Sequence, residues 1–260
     1  MGRIPVTNED IWRIALEQSA IDSCCVPEDF CKEENVVALS RERAGRRAYL
    51  AEPYVFDLTS YGKNVVACVR EDLREIAFSY LAKYSAAHCF ETPALHELDK
   101  LFAPFGLKTK FQAEYFLPDV TKTRKLGCAY DMCVLEPPDF SGLYLPEWGN
   151  ALCKERKERD MLCVGAYENK KLTALAGASA DCDQMWQIGV DVLPAYRGRG
   201  LAKAVTSRLA AEVFARGKVP FYCAAWSNIP SVRNALACGF YPAWVQLTAW
   251  PAEGSPPAKV

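Results

Sequence analysis

Seven consecutive residues, Arg197-Gly198-Arg199-Gly200-Leu201-Ala202-Lys203, have the types and spacing of an anion site. They follow "MWQIGVDVL", a nearly apolar run that reads as a central strand. Beyond them Leu201, Val205, Leu209 and Val213 recur every four residues, as one apolar face of a helix. A strand that runs into a glycine turn at a helix start leaves several N–H groups without intrahelical acceptors. Those groups and the helix dipole suit a phosphate. Gly198 and Gly200 let the backbone turn and approach a ligand closely. Arg197, Arg199 and Lys203 add positive potential, and each charge-assisted hydrogen bond is worth about 1.5–3 kcal/mol. The same residues would also serve as a plain helix start with exposed arginines, and the turn alone leaves both readings open. Two common phosphate loops are excluded. A dinucleotide fingerprint needs glycine or alanine where Lys203 stands, and no G-x-x-x-x-G-K-S/T run occurs.

Other chemistry is poorly supplied. The twelve cysteines include no C-x-x-C pair, and His88 and His96 are the only histidines. Cys24, Cys25 and Cys31 form the nearest approach to a ligand cluster, but their spacing matches no common zinc site. The expectation is no metal and reduced, buried thiols. Half of the 260 residues are hydrophobic, 24% are charged, and the formal net charge is −1. That balance gives no reason to expect nucleic acid or a membrane surface as partner. No apolar run approaches the roughly 18 residues of a membrane span. The opening "MGRIPVTNED" lacks the apolar core of a signal peptide and has Val6 where a myristoylation signal needs Ser or Thr. The chain reads as soluble and cytoplasmic.

The elements that must position the turn alternate between strand and helix. Thr7 to Asp10 caps a first helix carrying Ile11, Trp12, Ala15 and Leu16. "AYLAEPYVFDLTSYGKNVVACV" reads as a hairpin, "REDLREIAFSYLAKY" and "PALHELDKLFAPF" as helices, and "LKTKFQAEYFLP" as a strand. "DVTKTRKLG" is polar and aperiodic, and marks a seam between residues 1–124 and 125–260. After it come a strand, "CAYDMCVLE", and a stretch of helical character, "PPDFSGLYLPEWGNALCKERKER". Two strands joined at "ENKK" and the strand before the turn follow. Gly217 and Pro220 supply stop signals for the helix after the turn. "VPFYCAAW" is a buried strand, "IPSVRNALAC" a short helix closed by Gly239, "FYPAWVQLTAW" the last strand, and "PAEGSPPAKV" a loose tail. This order predicts a mixed α/β sheet.

"VDVLPAYRGRGLAKAV", residues 190 to 205, resembles the acyl-CoA pyrophosphate loop of the GNAT superfamily of N-acetyltransferases, whose pattern is Q/R-x-x-G-x-G/A behind a strand ending V-x-P. "WSNIPSVRNALACGF", residues 226 to 240, resembles the family's N-x-x-S helix closing on Gly-Phe. The resemblance spans roughly residues 127 to 250. It implies a GNAT-like acyl-CoA N-acyltransferase fold, of mixed α+β type around a central mixed sheet, preceded by an α+β N-terminal domain. It implies acetyl-CoA as cosubstrate. Val190, Asp191 and Val192 would lie on a strand that splays from its neighbour and offers backbone hydrogen bonds to the pantetheine arm and acyl carbonyl. Arg197 and the residues Gly198, Arg199, Gly200, Leu201, Ala202 and Lys203 would wrap the pyrophosphate. Asn228 would bond the pantetheine and Ser231 could contact the cofactor, although both residue types equally suit a helix cap. The N-terminal half reads either as a degenerate copy of the same fold or as an unrelated α+β domain that shapes the acceptor site.

The chain departs from the family where protons must move. Ala235 stands where many members hold a tyrosine acid, Cys223 and Trp186 where others hold a glutamate. Because relatives accommodate a tyrosine at the first position, Ala235→Tyr is expected to leave the fold intact. Asp191 alternates with Val190 and Val192 and could reach a substrate cleft that Trp226 walls; the alternatives are a surface ion pair for Asp191 and core packing for Trp226. The catalytic residues stay unassigned. The expected activity is transfer of an acetyl group to a primary amine of a small molecule. A peptide amine as acceptor, or a non-catalytic acyl-CoA sensor or scaffold, are the alternatives. The oligomeric state is left open.

Overall fold

The computed structural model describes residues 6–47 and 53–253. Residues 254–260 of the loose tail expected over 251–260, and the first five residues of the expected hairpin segment, lie outside them, and Pro251 ends the last strand. The chain divides into two compact units. Unit 1 comprises residues 1–12 and 116–242, and unit 2 comprises residues 13–115 and 243–260. The cuts fall at Trp12/Arg13, Tyr115/Phe116 and Pro242/Ala243, whereas the sequence placed a single seam at 124/125. The polar run does lie outside regular structure, but the strands on either side of the units' boundaries carry the chain back and forth.

Helix α1 (Asn8–Asp22) begins at the expected capping box. The Asp10 N–H donates to Thr7 Oγ1 and the Thr7 N–H to Asp10 Oδ2, both at 3.1 Å. Unit 2 then contains β1 (Val36–Leu39), β2 (Phe56–Ser60), β3 (Val66–Val69), α2 (Arg74–Lys83), α3 (Thr92–Phe102) and most of β4 (Leu107–Pro118). β2 and β3 pair antiparallel as the hairpin reading required, and β1 pairs parallel with β3. Gly106, with φ at +64°, closes the helical segment and starts β4. The end of the last strand, β10 (Phe240–Pro251), pairs antiparallel with β2 from Val245–Ser60 to Ala249–Phe56. Apolar residues of these strands and of α2 and α3 form one core, from Phe56 and Leu58 to Leu98, Phe102 and Leu247.

A polar knot lies inside this unit. The buried Asp57 carboxylate accepts hydrogen bonds from Gln246 Nε2 and Thr248 Oγ1, both at 2.8 Å, and from Thr59 Oγ1 at 3.0 Å. Burial raises its pKa to about 6 despite those donors. The folded protein therefore holds a proton on Asp57 that the unfolded chain, titrating near 4, has released. Stability from this group is full below pH 4, falls as pH rises from about 4 to 6, and is flat above. We predict that Asp57→Asn reduces this slope, removing about 1–3 kcal/mol of pH-dependent change, as measured by urea unfolding across that range.

Unit 1 holds β5 (Asp131–Leu135), β6 (Asp160–Glu168), β7 (Lys171–Ser179), β8 (Met185–Val192), α4 (Leu201–Ala215), β9 (Val219–Ala224) and α5 (Ile229–Ala237). Its strand order is β9-β8-β7-β6-β5, antiparallel except for the parallel β8–β9 pair. Asn169 and Lys170, both with positive φ, form the tight turn between β6 and β7. Leu201, Val205, Leu209 and Val213 of α4 are buried against one sheet face with Ile188 and Tyr222. Pro220 is no helix stop. It is the second residue of β9, paired with Trp186, and the helix ends at Ala215 ahead of Gly217.

The opposite face is covered by residues 136–159. Helical character was expected there, yet only short 3-10 turns form, at Pro137–Phe140, Pro146–Trp148 and Lys154–Arg159. Pro137, Pro138, Pro146, Gly142 and Gly149 interrupt any longer helix. The segment instead packs Phe140, Trp148, Ala151 and Leu152 against Cys163 and Leu175. It lies on the sheet at Gly177 and Gly189, which face each other across β7 and β8. A Cβ on Gly177 would fall 1.9 Å from the Ala151 carbonyl oxygen, and one on Gly189 1.8 Å from that of Asn150. We predict that Gly189→Ala destabilises unit 1 by about 1–3 kcal/mol, read as a lowered urea midpoint, because backbone and not a flexible side chain must give way.

Candidate functional site

The site begins where two strands part. β8 and β9 pair from Met185–Val219 to Ile188–Tyr222 and no further, although β8 continues to Val192 and β9 to Ala224. Which backbone groups this leaves follows from the register on the other side. The Leu193 N–H donates to the Thr173 carbonyl, and Val192 is opposite Ala174. In an antiparallel ladder hydrogen-bonded positions alternate, so Gly189, Asp191 and Leu193 direct their backbone groups to β7. Val190 and Val192 direct theirs to the β9 side, beyond the last β8–β9 pair. The Val192 carbonyl is in part engaged there, accepting from Arg197 Nε at 3.1 Å.

Asp191 is placed differently from its neighbours. Its side chain faces away from the core, as alternation requires, but into the segment over Gly189 and not into an open cleft. Its carboxylate accepts from the N–H groups of Asn150 and Ala151 at 2.9 and 3.0 Å and from Asn150 Nδ2 at 2.6 Å. A carboxylate already holding three donors is an anchor for that segment. The expectation that Asp191 lines a substrate cleft does not match this arrangement. Gly177, Gly189, Asn150 and Ala151 were missed in the sequence reading, although glycine within two adjacent strands signals a close backbone approach.

The chain leaves β8 through a 3-10 turn at Pro194–Tyr196 and enters the glycine turn. Gly198 and Gly200 both have φ of +78°, and no atom lies within 4 Å of the Cβ position of either. Gly200 is the N-cap of α4. The N–H groups of the first helical turn, Leu201 to Lys203, have no intrahelical acceptors. Alternating signs of φ across such successive N–H groups make an anion-binding concavity. Arg197, Arg199 and Lys203 are exposed around it. Arg199 donates to the Tyr130 hydroxyl at 2.8 Å and lies 5.2 Å from the Tyr196 ring centroid. Tyr196 in turn donates to Glu168 at 3.0 Å, a bond that raises the pKa of its hydroxyl. Tyr130 and Glu168 carry no motif that sequence inspection could have used.

Across the parting, Asn228 caps α5, its Oδ1 accepting from the Ser231 N–H at 3.3 Å. Ser231 Oγ lies 2.8 Å from the Tyr222 hydroxyl, whose pKa burial raises. Trp226 follows β9 and is 65% exposed, so it is not core packing. Gln187 and Cys223 share the face that Asp191 belongs to, with Gln187 Nε2 donating to the sulfur at 3.3 Å. Of the positions where the family holds acids or bases, Trp186 and Ala235 are buried and untitratable. Among the described residues no cluster of His, Cys, Asp or Glu could hold a metal ion, and no helix is long and apolar enough to cross a membrane.

A sheet whose inner strands part just ahead of a glycine turn at a helix start sets backbone groups without ladder partners beside the N–H groups of that helix's first turn. Residues 158–243 match the family model of the GNAT acetyltransferases. Among solved structures, the chain is similar to a GNAT-family protein from Novosphingobium aromaticivorans (22% identity, TM-score 0.41), over 55% of this chain and 66% of that one, just under two thirds. It is similar to a GCN5-related N-acetyltransferase-like protein from Streptococcus suis (19% identity, TM-score 0.45), over 62% and 68% of the two chains. An aminoglycoside N-acetyltransferase solved in complex with CoA is also similar, at 19% identity and TM-score 0.35, over 46% of this chain and 93% of that one. No curated protein sequence matches the chain.

The fold also corrects one expectation. Ala235 is wholly buried in the core shared by α4, α5 and the sheet. A tyrosine there has no space without displacing its neighbours. We predict that Ala235→Tyr lowers stability by about 1–3 kcal/mol in urea unfolding.

Proposed function

We propose that the protein is an acetyl-CoA-dependent N-acetyltransferase that acts on a primary amine of a small molecule within a ternary complex. The observation that carries this reading is the pair of backbone positions, Val190 and Val192, turned toward the parting of β8 and β9 directly ahead of the glycine turn. When bound, acetyl-CoA supplies an acyl carbon already activated as a thioester. The N–H groups of residues 198–203 receive the pyrophosphate, with Arg197, Arg199 and Lys203 lowering its charge. Val190 and Val192 hydrogen-bond the pantetheine arm and polarise the acyl carbonyl, a main-chain role that no side-chain change removes. Asn228 and Ser231, already tied to the helix start and to Tyr222, border the same arm. Trp226 presents an exposed ring to the acceptor.

Proton movement is the demanding part. The attacking amine must be neutral, and Trp186 and Ala235 offer neither acid nor base. Asp191 is occupied by Asn150 and Ala151. Water takes the amine's proton in this reading, and the acceptor's own pKa then governs the rate. The same two residues favour the second reading, an acyl-CoA sensor without turnover.

Calorimetry with acetyl-CoA, followed by measurement of free thiol release with a panel of amines, tests both. We expect binding and amine-dependent release. Binding without release on any amine would favour the sensor, and no binding would remove the site altogether. Gly200→Val forces a β-branched residue into positive φ, at an intrinsic cost of about 1–2 kcal/mol, and Arg199→Glu reverses a charge at the turn. Each is expected to weaken acetyl-CoA binding at least tenfold in a folded protein.

A further inference from the structure

A pair of hydroxyls stands at the point where β8 and β9 part. Tyr222 belongs to the last pair of residues, opposite Ile188, and packs in the core that Val190 and α4 share. It is buried, with its ring edge-on to Phe116 at 6.4 Å between centroids. Its Oη lies 2.8 Å from Ser231 Oγ in the first turn of α5. Ser231 is half-buried, so the pair runs from the core to the mouth of the parting.

The direction of the two protons follows from their acceptors. Burial raises the pKa of Tyr222, so its hydroxyl keeps its proton, and leaving a buried O–H without an acceptor costs about 1–3 kcal/mol. Ser231 Oγ is the acceptor within reach. The neighbouring Asn234 donates through Nδ2 to Thr206 Oγ1 at 3.0 Å, and its Oδ1 is buried without a partner. Tyr222 therefore donates to Ser231. A serine hydroxyl that accepts one hydrogen bond still has its own proton to give. The helix cap does not use it, since Asn228 Oδ1 accepts from the Ser231 backbone N–H. Among the described residues nothing accepts the hydroxyl proton, and the buried side of Ser231 is taken by Tyr222. Ala235, one turn further along the same face of α5, offers no hydroxyl.

We propose that Ser231, held by Tyr222, directs its hydroxyl proton to the sulfur of the pantetheine arm, where negative charge gathers during acyl transfer. This rests on the acetyl-CoA reading above. With the pyrophosphate at residues 198–203, an arm running back along β8 past Val192 and Val190 brings its reactive end toward the Ile188–Tyr222 pair. Ser231 is the residue in contact there, and Tyr222 is a positioning residue. Accepting from Tyr222 polarises the Ser231 hydroxyl and makes it a stronger donor. The proton is shared and not handed over, so both side chains keep their O–H bonds.

The test is calorimetric binding of CoA and of desulfo-CoA, which has hydrogen in place of the thiol, to the full-length protein. Both ligands share the pyrophosphate and the arm, so charges around the glycine turn cancel in the ratio of affinities. Relative to desulfo-CoA, CoA should gain about tenfold in affinity as pH rises from about 7 to about 9.5, through the ordinary thiol range. The gain measures how well the site holds a sulfur anion. Ser231→Ala should remove it, and Ser231→Thr, which keeps a hydroxyl, should retain it. Tyr222→Phe, which keeps the ring, should diminish it by releasing the Ser231 hydroxyl. An equal gain in Ser231→Ala, or none in the wild type, would overturn the proposal, even if Tyr222→Phe folds poorly. If the wild type binds neither ligand, the acetyl-CoA reading itself falls and takes this inference with it.

Discussion

The end of the β8–β9 pairing at Ile188 and Tyr222 is the constraint from which the rest of unit 1 follows. Past that pair, two strands of one sheet have backbone groups with no ladder partner, and such groups are tolerated only where something else can satisfy them. The cores on either side hold the parting in place. Val205, Leu209 and Val213 of α4 pin β8 from one face, while Trp148 and Leu152 pin the sheet from the other. Because β8 stays fully paired to β7 as far as Val192, it cannot relax to close the gap. The opening is a property of register, and side chains around it are free to vary.

Asp191 shows how a residue beside the parting can shape it indirectly. Its carboxylate fixes Asn150 and Ala151 against a floor that only glycine allows, so the segment over the strands becomes a rigid wall. Rigid walls suit the proposed site, whose binding groups would be backbone, since neither Val190 nor Val192 could adjust by changing rotamer. The glycine turn is built on the same principle. Its shape comes from two positive φ angles, and its charged side chains are held to the side by Tyr130, Tyr196 and the Val192 carbonyl.

Much of this was legible because the signals are local. The capping box at Thr7, the apolar face from Leu201 to Val213 and the alternation of residues 107–118 each need only a short window of sequence. The turn at 197–203 was legible for the same reason. What escaped depends on contacts between distant residues. Residues 136–159 look helical by composition, but their conformation is set by prolines and by the sheet beneath them. The partner of Asp191 lies about forty residues earlier and leaves no periodic trace. The burial of Ala235 is fixed by how α5 meets α4 and the sheet, which spacing cannot reveal. Family analogy suggested room for a ring there, and packing in this chain leaves none.

The interleaving of the two units bears on how the chain can be dissected. Residues 243–251 lie far along the chain from the strands they belong with: Val245 to Ala249 pair with Phe56 to Ser60. A fragment cut at the polar seam would separate them. The N-terminal piece would lose the strand covering β2 and leave half of the Asp57 knot behind. The C-terminal piece would carry an orphan edge bearing Leu247 and Ala249, both made to be buried. Exposed edges of that kind pair with one another between molecules. Independent expression of either half is therefore a recipe for aggregation.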